Sequence, residues 1–171
     1  MSPLRARLRE DTRPEHDRLD ALYGQLDLSV RDDYLLFLQA HHAAHSVVEP
    51  LIQPAPARQQ ALAADIRALG AVPLAGFAAS YTRHAHPLGL SYVVAGSFLG
   101  GQVLRKAWEL SRNDTMRSAG RHFGLSGLRE HWQTVLKSLT DVAAEDQHRV
   151  VDGARAGFRC FADALHFAGR R

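Results

Sequence analysis

Cysteine is almost missing from this 171-residue chain. Cys160 stands alone, which excludes an intrachain disulfide framework and any multi-cysteine metal site and suits a reducing cytoplasm. No stretch alternates apolar and polar residues in the way a half-buried strand requires. There is no Gly-x-Ser-x-Gly elbow, phosphate loop or dinucleotide fingerprint, so the common nucleophile and nucleotide chemistries have no anchor. The segment Met1–Glu10 has no apolar core, and no secretion signal is expected from it. Acidic residues trail basic ones only slightly, 18 against 21, for a net charge of +3. That mild basicity suits an anionic ligand and is no footprint for nucleic acid.

What is present is one domain's worth of apolar residues, 46% of the chain, arranged almost wholly at helical spacing. The stretch Ser91–Leu104 stands out, because Gly96, Gly100 and Gly101 interrupt an apolar helical pattern. Each interior glycine costs a helix about 0.5–1 kcal/mol relative to alanine, so three within six positions call for a reason. Removing the side chain lets another helix, a lipid-embedded partner or a flat ligand approach the backbone. The run from Pro87 to Leu104 is 18 residues without a charge, the lower limit for a membrane span. Its four glycines, two serines and glutamine, and the lack of a second such run, favour a buried central helix and no membrane span.

In chain order, a short basic helix over residues 3–11 precedes a fresh start at Thr12-Arg-Pro-Glu15, with Thr12 as cap, Pro14 in the first turn and Glu15 at the capping-box position. That helix is expected to reach Tyr23. Ser29 or Asp32 caps the next, which Pro50, Pro54 and Pro56 end. Helical pieces follow over 57–69 and 74–84, then the glycine helix over 87–110. A short helix runs from Asn113-Asp114 to Phe123, another follows a Ser126 cap to Leu139, and the last opens at Asp141 and covers 142–167. The expected fold class is a single-domain all-α bundle over residues 1–171.

Ten histidines are the main chemical inventory. His41, His45 and Glu49 share one helical face and offer a candidate metal stripe. A di-iron bundle would want a Glu-x-x-His motif, which is absent, so solvated or capping roles are the simpler expectation. His122, His131, His148 and His166 have no partner that spacing identifies. His16 does: Asp20 follows at i+4, where its carboxylate can hold one imidazole nitrogen and leave the other as a stronger metal ligand. Leu19 and Tyr23 extend that flank as an apolar wall. Spacing alone also allows an exposed histidine at a helix start.

Taken together, two stretches resemble a known family. Leu8-Arg-Glu-Asp-Thr-Arg-Pro-Glu-His16-Asp-Arg-Leu-Asp20 resembles the N-terminal helix of heme oxygenases, and Tyr92-Val-Val-Ala-Gly-Ser-Phe-Leu-Gly-Gly-Gln-Val-Leu104 resembles their distal helix in its bacterial form. The motifs occur in the family's order, and length and helix number agree over nearly the whole chain. Bacteriophytochrome-associated members are similar in size and style.

The resemblance implies heme held between a proximal N-terminal helix and a glycine-rich distal helix. His16 would be the proximal iron ligand, Asp20 its acceptor, and Gly96, Ser97 and Gly100 the oxygen-facing wall, with Tyr92 and Gly101 beside them. Arg9 and Arg129 would hold the heme propionates. The implied reaction opens heme at a meso carbon with O2, giving biliverdin, CO and ferrous iron. Its electrons would come from an external reductase or ferredoxin, and a biliverdin-binding phytochrome is a candidate partner. A heme-binding or heme-transfer protein on the same scaffold is the alternative, and a helical interaction module a third class. Two departures matter: animal-type members keep an aspartate where Ser97 stands, and Gln133 replaces a basic residue one turn after Arg129, with Lys137 a turn later as the candidate substitute. Phe158 and Phe161 are candidates for either pocket lining or plain core.

Overall fold

A computed structural model describes residues 3–52, 57–110 and 114–170, leaving aside the side chains of residues 98 and 99. Among the described residues every regular element is helical. The α-helices are α1 (Pro3–Asp11), α2 (Arg13–Tyr23), α3 (Arg31–Val48), α4 (Arg58–Ala68), α5 (Pro87–Glu109), α6 (Asp114–Arg117), α7 (Leu128–Ser138) and α8 (Gln147–Ala168). Short 3₁₀ turns cover Glu49–Leu51, Ser80–His84, Arg121–Gly124 and Ala144–Asp146. The architecture is all-α.

α8 is the central element, because most of its apolar side chains are buried from Val150 to Ala168. It packs along α5 on one side and α3 on another. The α5–α8 crossing is close because glycines meet there: a Cβ on Gly89 would lie 2.2 Å from the Val150 carbonyl oxygen, and one on Gly153 would lie 2.6 Å from that of His86. Close packing thus claims Gly89, while the other three glycines of α5 lie beyond the crossing. α5 is long and apolar enough to cross a membrane by length and composition, and here it packs against α8 and α7.

Several boundaries differ from expectation for identifiable reasons. Thr12 precedes α2, yet its hydroxyl donates back to the Leu8 carbonyl at 2.7 Å, closing α1 instead of capping α2. Glu15 faces Arg155 at 3.4 Å, so the capping box does not form. Before α3, Asp27 takes the backbone and hydroxyl of Ser29, leaving Val30 at the cap position. The expected helix over 74–84 is reduced to its last five residues. Upstream, the Gln39 amide donates to the Val72 carbonyl and accepts from Leu74 N, both at 2.8 Å, which holds the chain extended around Pro73. Gly127, at φ 76°, replaces Ser126 as the residue before α7. The helix expected from 113 to 123 divides into α6 and the turn at 121–124, and the last helix starts at Gln147 after a 3₁₀ turn. Pro54, Pro56 and Asn113 lie outside the described residues.

Candidate functional site

A cavity of about 700 Å³ opens between the helices, the size range of a cofactor site. α1 and α2 supply Arg9, His16 and Asp20, and α5 supplies Tyr92, Gly96, Ser97, Gly100 and Gly101. Residues about 75 positions apart in sequence therefore border one space. Phe158 and Phe161 line it from α8 while remaining buried in the core, so they fill both roles considered for them. Leu19 and Tyr23 also line it, and the Tyr23 hydroxyl donates to the Phe161 carbonyl at 3.1 Å.

His16 stands on α2 with its side chain 57% exposed. Its Nδ1 lies 3.2 Å from an Asp20 carboxylate oxygen, which leaves Nε2 as the nitrogen available to the cavity. Its ring meets Phe158 edge-on, 5.7 Å between centroids. Across the same space, a Cβ on Gly100 or Gly101 would meet nothing within 4 Å, and one on Gly96 would touch only the Trp132 ring at 3.6 Å. Among the described residues no packing partner claims Gly100 or Gly101. Their missing side chains enlarge the cavity, a cradle that larger residues would fill.

The rim is basic. Arg5, Arg9, Arg13 and Arg105 line the cavity. Arg105 is held by Glu109 at 2.8 Å and Arg13 by Asp17 at 3.7 Å, while Arg5 lies over the Trp132 ring at 5.8 Å. Arg9 is exposed with no carboxylate partner among the described residues. Arg129 is exposed on α7 outside the cavity lining, as are Gln133 and Lys137. The basic residues bordering the cavity come from α1, α2 and α5 at the rim, with Arg58 of α4 deeper in.

The inner wall is polar, which sequence spacing did not indicate. Arg58 lines the cavity from α4, and its Nη1 donates to the Ser97 hydroxyl at 2.6 Å. Ser97 in turn donates to the Val94 carbonyl at 2.8 Å. The remaining guanidinium nitrogens, Nε and Nη2, are buried without a hydrogen-bond partner among the described residues. Burial pulls the Arg58 pKa down to about 10, against the opposing pull of Glu49. His41 and His45 line the cavity from α3. His45 is not solvated, being 1% exposed with Nδ1 3.0 Å from a Glu49 carboxylate oxygen, while His41 is partly exposed. Burial pushes both imidazole pKa values down. No cluster of three metal-ligating side chains occurs among the described residues.

Two further groups, Asp65 and His122, lay outside sequence expectation, and of these His122 lines the cavity. Asp65 is fully buried and accepts three hydrogen bonds, from Arg121 N, His122 N and His122 Nδ1, at 2.9, 2.9 and 2.8 Å. His122 thereby reaches the cavity from the 121–124 turn. A signal existed. Arg58 and Asp65 fall on the stripe of Leu62, Ile66 and Leu69, and charged residues on an apolar stripe are unusual.

No family model matches the chain, and no curated protein matches it.

Proposed function

We propose that this protein is a heme oxygenase of the bacterial, biliverdin-producing kind, binding heme in the cavity between α2 and α5 and opening its ring. The observation that carries the reading is the convergence of His16, backed by Asp20, with side-chain-free Gly100 and Gly101 on one cavity of about 700 Å³. A flat iron macrocycle needs a nitrogen ligand on one face and clearance on the other, and these residues fit both demands. When bound, heme would supply the iron that activates O2 and would itself be the substrate.

The chain's own residues have definable roles. Asp20 orients the His16 ring and fixes its tautomer, leaving Nε2 as the ligand nitrogen. Gly96, Gly100 and Gly101 admit a ligand close to the α5 backbone. Arg9, with its neighbours Arg5, Arg13 and Arg105, offers charge-assisted bonds to carboxylates at the rim. Phe158 and Phe161 exclude water from the floor. Electrons would come from an external donor protein.

The second reading, heme binding or transfer without turnover, draws on one feature. Ser97 stands where animal-type members keep an acid, and its hydroxyl is committed to Arg58 and Val94. One experiment separates the readings. Hemin is added to the purified protein, then a reductant and oxygen, with the visible spectrum followed throughout. Decay of the Soret band with growth of a broad red absorption supports ring opening. A Soret band that persists supports binding alone, and no Soret shift on adding hemin rejects both.

A further inference from the structure

We propose that His122 is the proton-transfer group of the cavity's inner wall, with Asp65 as its positioning residue. This inference rests on the heme-oxygenase reading and extends it to residues that the resemblance does not reach.

Asp65 is the starting point. Its carboxylate has no solvent exposure, and all three of its donors belong to the 121–122 backbone and the His122 ring. A buried carboxylate that accepts two backbone N–H groups and the ring nitrogen dictates the tautomer of its imidazole partner. The proton of neutral His122 therefore sits on Nδ1, and Nε2 carries the lone pair. Nε2 is buried, has no hydrogen-bond partner, and belongs to a ring that forms part of the cavity wall. An oriented histidine backed by a buried acid at a ligand cavity is an arrangement suited to general acid–base work. Burial lowers the imidazole pKa, and Asp65 opposes that effect without cancelling it.

The groups facing His122 are defined. α3 presents Tyr34, with its ring 6.2 Å from that of His122, and further along His41 and His45. α4 presents Asp65 and Arg58. The 121–124 turn adds Arg121, whose side chain is exposed, and α5 packs Trp108 and Leu104 nearby. Asp65 favours the imidazolium and Arg58 disfavours it. Arg58 also holds Ser97 of α5, at 2.6 Å. The step balances simply. His122 takes a proton at Nε2 from hydronium, leaving water, and passes that proton to a basic oxygen atom in the cavity.

The test uses the full-length chain with Asp65→Asn and His122→Gln. In the ligand-free protein at pH 8, nitrogen-15 NMR of the wild-type His122 ring should show Nδ1 protonated and Nε2 not. The opposite tautomer would overturn the proposal whatever the heme experiments give. In the hemin-loaded protein, His122→Gln should slow ring opening about a hundredfold or more, with hemin affinity within about threefold of wild type. The wild-type rate should fall as pH rises through the His122 titration. Asp65→Asn removes the charge that favours imidazolium, so this limb should move about one pH unit or more toward acid. Unchanged rates and an unshifted limb in both variants would overturn this inference while leaving the heme reading intact. Failure of the wild-type chain to bind hemin would overturn both. If Asp65→Asn does not fold, His122→Gln and the tautomer measurement decide.

Discussion

Gly100 and Gly101 show how a single absent side chain can be read. Each sits in the body of α5, each faces space in which a Cβ would touch nothing, and each forgoes the helix propensity of alanine. Gly100→Ala and Gly101→Ala should therefore stabilise the ligand-free protein by about 0.5–1 kcal/mol apiece, measured as a higher urea midpoint at constant slope. Gly100→Leu should remove hemin binding while leaving the circular dichroism spectrum unchanged, and wild-type affinity in that variant would refute the cradle. Gly89→Ala is the control of opposite sign. Its Cβ would run into the backbone of α8, so it should destabilise by about 1–3 kcal/mol. At His16 the exposed position predicts little effect of His16→Ala on stability, within about 0.5 kcal/mol, but loss of the histidine-ligated visible spectrum. Retention of that spectrum would move the ligand elsewhere.

At the scale of elements, the contact between α4 and α5 through Arg58 and Ser97 is the one that can be tested in isolation. Ser97→Ala leaves a guanidinium that already lacks two partners without its third. The expected cost is about 1–3 kcal/mol, read from urea unfolding, and a loss under about 0.3 kcal/mol would show that the pair holds nothing. This contact also marks the limit of what spacing reveals. The helices themselves were legible, because 3.6-residue periodicity and glycine or proline stops are local properties. The convergence of His16 with the glycine stretch was legible through motif order. The inner wall was not, because Arg58, Asp65 and His122 come from two elements more than 50 residues apart whose docking is non-local. Caps failed for a related reason: Thr12 had two helices to serve and its hydroxyl closed the earlier one. The 71–79 segment followed a single side chain, Gln39, that no local rule could have placed beside it.

Over the whole molecule, lining a cavity with imidazoles makes folding stability depend on pH. His45 and His122 are buried and their pKa values are lowered, desolvation being the largest cause in each. In the unfolded chain the same groups titrate near 6.5. Below that pH the unfolded state takes up protons that the folded state refuses, so stability falls as the solution is acidified. The contribution is complete above about pH 6.5 and is lost toward the lowered folded-state values. Each such histidine removes at most about 1.4 kcal/mol per pH unit within that window, and two together at most about 3 kcal/mol per unit. Against a total of roughly 5–15 kcal/mol for an ordinary domain, this is a large share. His41, lowered in the same direction, adds to it. Glu49 also has a lowered pKa, but its effect begins only near the carboxylate range and leaves the interval from pH 7.5 to 5.5 to the histidines. The urea midpoint should therefore drop steeply between those two pH values with little change in slope, and His122→Gln should flatten the drop by about one histidine's worth. Equal midpoints at pH 7.5 and 5.5 would mean that the inner wall is solvated, and that the polar lining is an open vestibule instead of a buried one.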